Sequence, residues 1–200
     1  NMIKTPVILA SQSPRRKILL EWAEVAFKVV VEPTDESFDA NMEAESIPIH
    51  IARAKALAVK NKLIASQEQV DNTILLAADT VVVLEKEIIN KPSSKDDAIS
   101  MLQKLSGKTH RVITGVVILL NEKEVAFSET TNVQFHPLTM QQIEYYVDHY
   151  KPYDKAGAYA IQEWIGVIGI AAITGDFYNV MGLPVSRVVQ ELTTLDELVG

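Results

Sequence analysis

A chain of 200 residues, nearly half of them apolar (48%), can bury a sizeable core in one domain or in two small lobes sharing a sheet. Its net charge of −7 argues against a broad nucleic-acid face, which needs a basic stripe, but leaves room for a small anion held by local cations. Without cysteine there are no disulfides, thiolate catalysis or cysteine-bound zinc; without a membrane-length apolar run (roughly 18 residues) or a basic-then-apolar leader, the chain reads as a soluble cytoplasmic protein.

Asn1, ahead of Met2, reads as a leftover residue and is set aside. The apolar run at 7–10 predicts a buried strand, broken by Ser11-Gln12-Ser13. A helix begins there, with Ser13 as its N-cap and Pro14 in the first helical position. Arg15 and Arg16 then occupy the first turn, where the helix dipole is already positive. Each misplaced cation costs about 0.3–1 kcal/mol, so the pair needs either solvent or an anion.

"FKVVVEP" (27–33) predicts a strand, and "TDESFDANMEAESIP" an acidic connection rich in turns. A helix follows from about Pro48 to Ala65, with Ile51, Ala54, Ala58 and Ile64 as its apolar stripe and Leu57 and Ala65 alongside. "TILLAADTVVVL" (73–84) is apolar around one acid and predicts a central strand covered on both faces. "EKEII" returns as a short strand ending at "NKP". "SSKDDAISMLQKLSG" carries a Ser cap, acids in its first turn and Gly107 as its stop. "HRVITGVVILL" and "EVAFSETTNVQF" form a hairpin about Asn121-Glu122-Lys123. "LTMQQIEYYVDHY" is a helix in which Thr139 and Gln142 are spaced as a capping box. "KPYDKAGAYAIQEW" is irregular, "IGVIGIAAIT" is strand-like, Gly175-Asp176 turns, and a last helix runs from about Pro184 to Glu197. This order predicts an α/β protein with a mixed, twisted sheet and flanking helices, without repeats or linkers.

Several residues could carry chemistry. Free N–H groups at a helix start bind anions, and Arg15 and Arg16 would strengthen such a site by about 1.5–3 kcal/mol per charge-assisted hydrogen bond. The alternative is two solvated arginines at a frayed helix end. Asp79 is embedded among apolar residues and must be hydrogen-bonded, face a cleft or bind a metal, since strand ends in α/β proteins commonly face the ligand crevice. Otherwise it caps a turn. Lys55 and Lys91 read as site cations or as snorkelling surface lysines, and Asp35 and Glu36 as loop acids or a magnesium pair. Gln162 reads a base edge or satisfies a backbone group. His50, His110, His136 and His149 lack metal-ligand spacing and read as surface or turn residues. The dinucleotide-binding glycine signature and the P-loop are absent.

Taken in order, "LASQSPRRKILL", "IARAKA", "AADTVVVL", "NKP", "LSGKTHRVITGV", "DKAGAYAIQ" and "GDFYNVMGLP" resemble the signature segments of the Maf family across nearly the whole chain. The resemblance implies one domain over 2–200 with an inosine triphosphate pyrophosphatase-like fold, two lobes around a cleft, and a homodimer. It implies a nucleoside triphosphate pyrophosphatase that uses a divalent metal such as magnesium or manganese. "DKAGAYAIQ" resembles the branch acting on dTTP and UTP. The competing implications are the 7-methyl-GTP branch, a wider branch acting on modified pyrimidine nucleotides, and a nucleotide-sensing regulator of septum formation. Residue by residue, Ser11 and Arg16 would hold phosphate oxygens, while Arg15, Thr80 and Gln162 would select the substrate. Asp79 would accept a proton from water and help bind metal with Glu36, and Lys55 and Lys91 would neutralise phosphate charge. Glu163-Trp164 departs from the family pattern, where small residues are more usual after the glutamine.

Overall fold

The apolar run at the start of the chain becomes β1 (Val7–Leu9), wholly buried, and the loop after it leads to α1 (Pro14–Trp22). The computed structural model describes residues 2–200, and Asn1 lies outside the described residues. β2 (Lys28–Val29) is shorter than its sequence predicts. Its Lys28 and Val29 pair with Ile8 and Leu9, where β1 ends. Then follow α2 (Ser46–Ala65), β3 (Ile74–Leu84), β4 (Glu87–Ile89), α3 (Lys95–Leu105), β5 (Thr109–Leu120) and β6 (Lys123–Phe135). The chain continues through α4 (Met140–Tyr150), a 3₁₀ turn at Ala156–Ala158, α5 (Trp164–Gly169), β7 (Ile170–Thr174), α6 (Phe177–Val180) and α7 (Val185–Val199).

The seven strands make one sheet, ordered β2-β1-β3-β5-β6-β7, with β4 also paired to β3. β1 runs parallel to β2 and β3, whereas β4 is antiparallel to β3 and β7 to β6. The sheet is therefore mixed, as the order of elements predicts. β7 stands at the end of the order, with Ala171, Ala172 and Thr174 exposed. Among the described residues no helix is long and apolar enough to cross a membrane.

Two compact units are distinguishable: one takes the chain up to Asp79 with Thr114–Glu129 and Gly182–Gly200, the other Thr80–Ile113 and Thr130–Met181. In the first, Ile8 of β1 with Ala10 just past it, Leu75 and Ala77 of β3, and Val117 and Leu119 of β5 pack together, and α2 covers them with Ala52, Ala56, Val59 and Leu63. The predicted stripe on α2 is thus displaced: Leu57 and Ile64 are exposed. The helix carries apolar residues on most of its circumference, so several stripes fit its sequence, and the strand side chains choose among them.

In the second unit the core includes Leu102 and Leu105 of α3, Ile143, Tyr146 and Val147 of α4, and Phe135 of β6. His110, read from sequence as a surface or turn residue, is instead buried in this core (1% exposed). Its Nε2 lies 2.6 Å from the Tyr159 hydroxyl, its ring stacks on Phe135, and its Nδ1 has no hydrogen-bond partner among the described residues. The aromatic partners let an imidazole stand where an apolar side chain is ordinary. The strand expected over "IGVIGIAAIT" starts only at Ile170. Before it, the N–H groups of Gly166 and Val167 both donate to the Glu163 carbonyl, which starts α5 despite β-branched residues.

Candidate active site

The start of α1 forms as its sequence dictates: the Ser13 side chain accepts from the Arg16 N–H (3.3 Å), and Pro14 occupies the first helical turn. Ser11 is buried in the preceding loop, and its hydroxyl accepts from the Ser13 N–H (3.1 Å). Strand register sets where this loop lies. Leu9 pairs with Leu76, and the Ala10 N–H donates to the Leu76 carbonyl (2.8 Å), so the loop runs on level with residues 77–79 of β3.

Asp79 is sixth of the eleven residues of β3, inside the strand predicted over 73–84 and away from either strand end, so it does not cap a turn. β1 pairs with Ile74–Leu76 and β4 with Val82–Leu84, so neither strand pairs the segment between. In that interval burial relaxes at Asp79 and Thr80 alone along β3.

Around Asp79 the first unit assembles a charged set. Lys55, projecting from α2, places Nζ 3.4 Å from Asp79 Oδ1 and 3.0 Å from Glu36 Oε1, bridging two carboxylates. Arg16 is buried rather than solvated at a frayed helix end, and its Nε donates to the Gly182 carbonyl at 2.7 Å. Burial pushes the Arg16 pKa down to about 10; Asp79 opposes that shift, Arg15 adds to it and Glu36 opposes it, and the group stays cationic at neutral pH. Burial raises the Asp79 pKa above the ordinary carboxylate value, with the positive charges of Lys55 and Arg16 opposing and Glu36 reinforcing the rise. Arg15 is partly buried beside Arg16.

Of the two loop acids, only Glu36 reaches this set. Asp35 turns to its own backbone, accepting from the Ser37 N–H at 2.8 Å. Among the described residues no three His, Cys, Asp or Glu side chains are grouped to hold a metal by themselves. Two carboxylates with phosphate oxygens completing the shell are nonetheless a donor set suited to magnesium, which commonly binds through one or two carboxylates and substrate. Glu36 and Asp79 are the two carboxylates of this set that could serve such a cation.

Thr80, Lys91 and Gln162 belong to the second unit. Thr80 follows Asp79 along β3; Lys91 is exposed just beyond β4, and Gln162 is exposed in the turn before α5. The Gly157 N–H donates to the Asn90 carbonyl (3.2 Å), tying the segment of Lys91 to the 3₁₀ turn that leads to Gln162. Sequence reasoning missed Gly182, whose contribution is a carbonyl oxygen and leaves no side-chain signal. It also gave no role to Lys155, whose side chain is only 15% exposed although it pairs with the exposed Asp154 (3.0 Å). A lysine between Asp154 and a glycine turn looks like surface in sequence.

Residues 6–195 match the family model described as "Maf-like protein". A dTTP/UTP pyrophosphatase of Cytophaga hutchinsonii is 47% identical over 188 residues, covering 94% of this chain and 83% of that one. Proteins of the same name from Parabacteroides distasonis and Porphyromonas gingivalis are 46% and 43% identical. The first covers 96% of this chain and 97% of its own, the second 98% of each.

Proposed function

The chain belongs to the Maf family, and from that premise we propose that it is a dTTP/UTP pyrophosphatase, converting the nucleoside triphosphate and water to the monophosphate and pyrophosphate. The observation that carries this reading is Asp79, a mid-strand acid with a raised pKa, held by Lys55 and standing near the buried Arg16 at a helix start. The shared name of the relatives supports the choice of base.

In this mechanism the N–H groups at the start of α1, the Ser11 hydroxyl and Arg16 bind phosphate oxygens. Asp79 orients the attacking water and takes its proton, a role its raised pKa suits. The phosphoanhydride between the α- and β-phosphates breaks, and the electron pair leaves with pyrophosphate. Lys55 and Lys91 offset the charge that develops, consistent with phosphoryl chemistry relying on positioning and electrostatics. Glu36 and Asp79 would hold a divalent cation, which would supply polarisation of the phosphates. Arg15, Thr80 and Gln162 choose the base. A homodimer belongs to the same reading and would give twice the chain mass in light scattering.

The test is pyrophosphate release from dTTP, UTP, CTP, GTP, ATP and 7-methyl-GTP with magnesium or manganese. Release from dTTP and UTP is the expected result. Preference for 7-methyl-GTP would move the chain to another branch of the family. Tight nucleotide binding without release would favour a sensor over an enzyme.

A further inference from the structure

Tyr146 of α4 is fully buried, yet its hydroxyl is engaged twice: it accepts from the Ala160 N–H (3.1 Å) and donates to Oε1 of Glu163 (2.6 Å). Its two partners bracket Ile161 and Gln162. They also bond to each other, since the Glu163 N–H donates to the Ala160 carbonyl at 3.1 Å and closes a turn. Behind this turn α5 is seated directly on the backbone. A β-carbon at Gly166 would stand 1.8 Å from the Ile161 carbonyl oxygen, so only glycine fits. Ala160 and Ile161 are buried and Glu163 is partly so, which leaves Gln162 as the exposed member of a turn held at both ends.

We propose that Tyr146, acting through Glu163, is a positioning residue that fixes the turn presenting Gln162 and thereby sets discrimination among nucleotide bases. This rests on Gln162 being the base-selecting residue of the proposed function. The physical reason is specific to glutamine: its amide offers both donor and acceptor, so it selects a base edge only when its backbone is held. A loosened amide bonds to whichever edge is offered. The phenol-to-carboxylate bond is charge-assisted and correspondingly short, which makes it a stiff restraint. It also gives a use to the acid that follows Gln162 in this chain.

The experiment compares kcat and KM for dTTP, UTP and CTP in Tyr146→Phe, Glu163→Ala, Glu163→Gln and Gln162→Ala. Tyr146→Phe and Glu163→Ala should raise KM for dTTP and cut the dTTP-to-CTP ratio of kcat/KM about tenfold, with kcat for dTTP kept within about twofold. Glu163→Gln retains an acceptor oxygen for the phenol and should keep most of the ratio. A merely structural role would lower kcat/KM for all substrates together and leave the ratio intact; that outcome overturns the proposal. So does loss of the ratio in Gln162→Ala with its retention in the other variants, and in that case the base-reading role still stands. If Gln162→Ala itself keeps the ratio, base selection by Gln162 fails and its positioning by Tyr146 fails with it. Should Tyr146→Phe not fold, Glu163→Ala answers the question with the buried ring in place.

Discussion

The Nε of Arg16 donates to the Gly182 carbonyl across 2.7 Å, in a buried hydrogen bond between residues 166 positions apart. The bond fixes the plane of the guanidinium beside the start of α1. It depends on Gly182 adopting φ +119°, where a β-carbon would also lie 3.4 Å from that same Nε. Gly182→Ala should therefore lower stability by about 1–3 kcal/mol and raise KM for the nucleotide several-fold. Chemical denaturation and steady-state kinetics measure the two effects. An unchanged KM in a folded variant would separate Gly182 from the site.

Asp79→Asn should reduce turnover by about 10²–10⁴, the usual scale for a lost general base. Stability should move the other way. Because the fold raises the Asp79 pKa, the contribution of this group is fully present below the ordinary carboxylate value and is lost as pH rises through the raised one. At neutral pH the ionised acid is thus a cost that asparagine removes, so the variant should melt at a higher temperature than the parent. The acidic limb of the kcat/KM profile should lie above the ordinary carboxylate range in the parent. Near-normal turnover would remove Asp79 from the catalytic role.

His110 predicts an acid sensitivity in the second unit. Burial lowers its pKa from 6.5 to about 4. As pH falls through the ordinary value the unfolded chain takes up a proton that the folded chain refuses until near pH 4, so stability falls across that window. The full span corresponds to about 3 kcal/mol. Urea midpoints at pH 7 and pH 4.5 should differ more in the parent than in His110→Phe, whatever the variant's absolute stability. Equal differences would show that the imidazole titrates normally.

Chelation should separate activity from folding. With no three-donor cluster among the described residues, EDTA should abolish pyrophosphate release while leaving the melting temperature within about a degree. Added magnesium or manganese should restore turnover. A large loss of thermal stability on chelation would instead point to a resident structural metal.

Much of this arrangement was legible because it depends on local chemistry. Ser13, Ser94 and Thr139 cap the helices their sequences predict, and Gln142 completes the capping box. Arg16 and Asp79 announced themselves by being in costly places. What failed depended on neighbours distant in sequence. The face of α2 was chosen by strands that its own residues do not specify, and α5 replaced a strand because Glu163, held by Tyr146, offers its carbonyl to two N–H groups. The burial of His110 likewise followed from Phe135 and Tyr159, which its own neighbours in sequence do not announce.

β7 has a practical consequence for handling the protein. Its residues Ile170-Ala171-Ala172-Ile173 bring neither lysine nor proline to the end of the sheet, and the register shift beside it, between Gln134 and Phe135, lies on its inner side. Sheet ends without such gatekeepers template mispairing between chains. During refolding at high concentration, turbidity should therefore grow from this segment. Ala172→Lys, at an exposed position, should slow it while leaving the refolded enzyme as active as the parent.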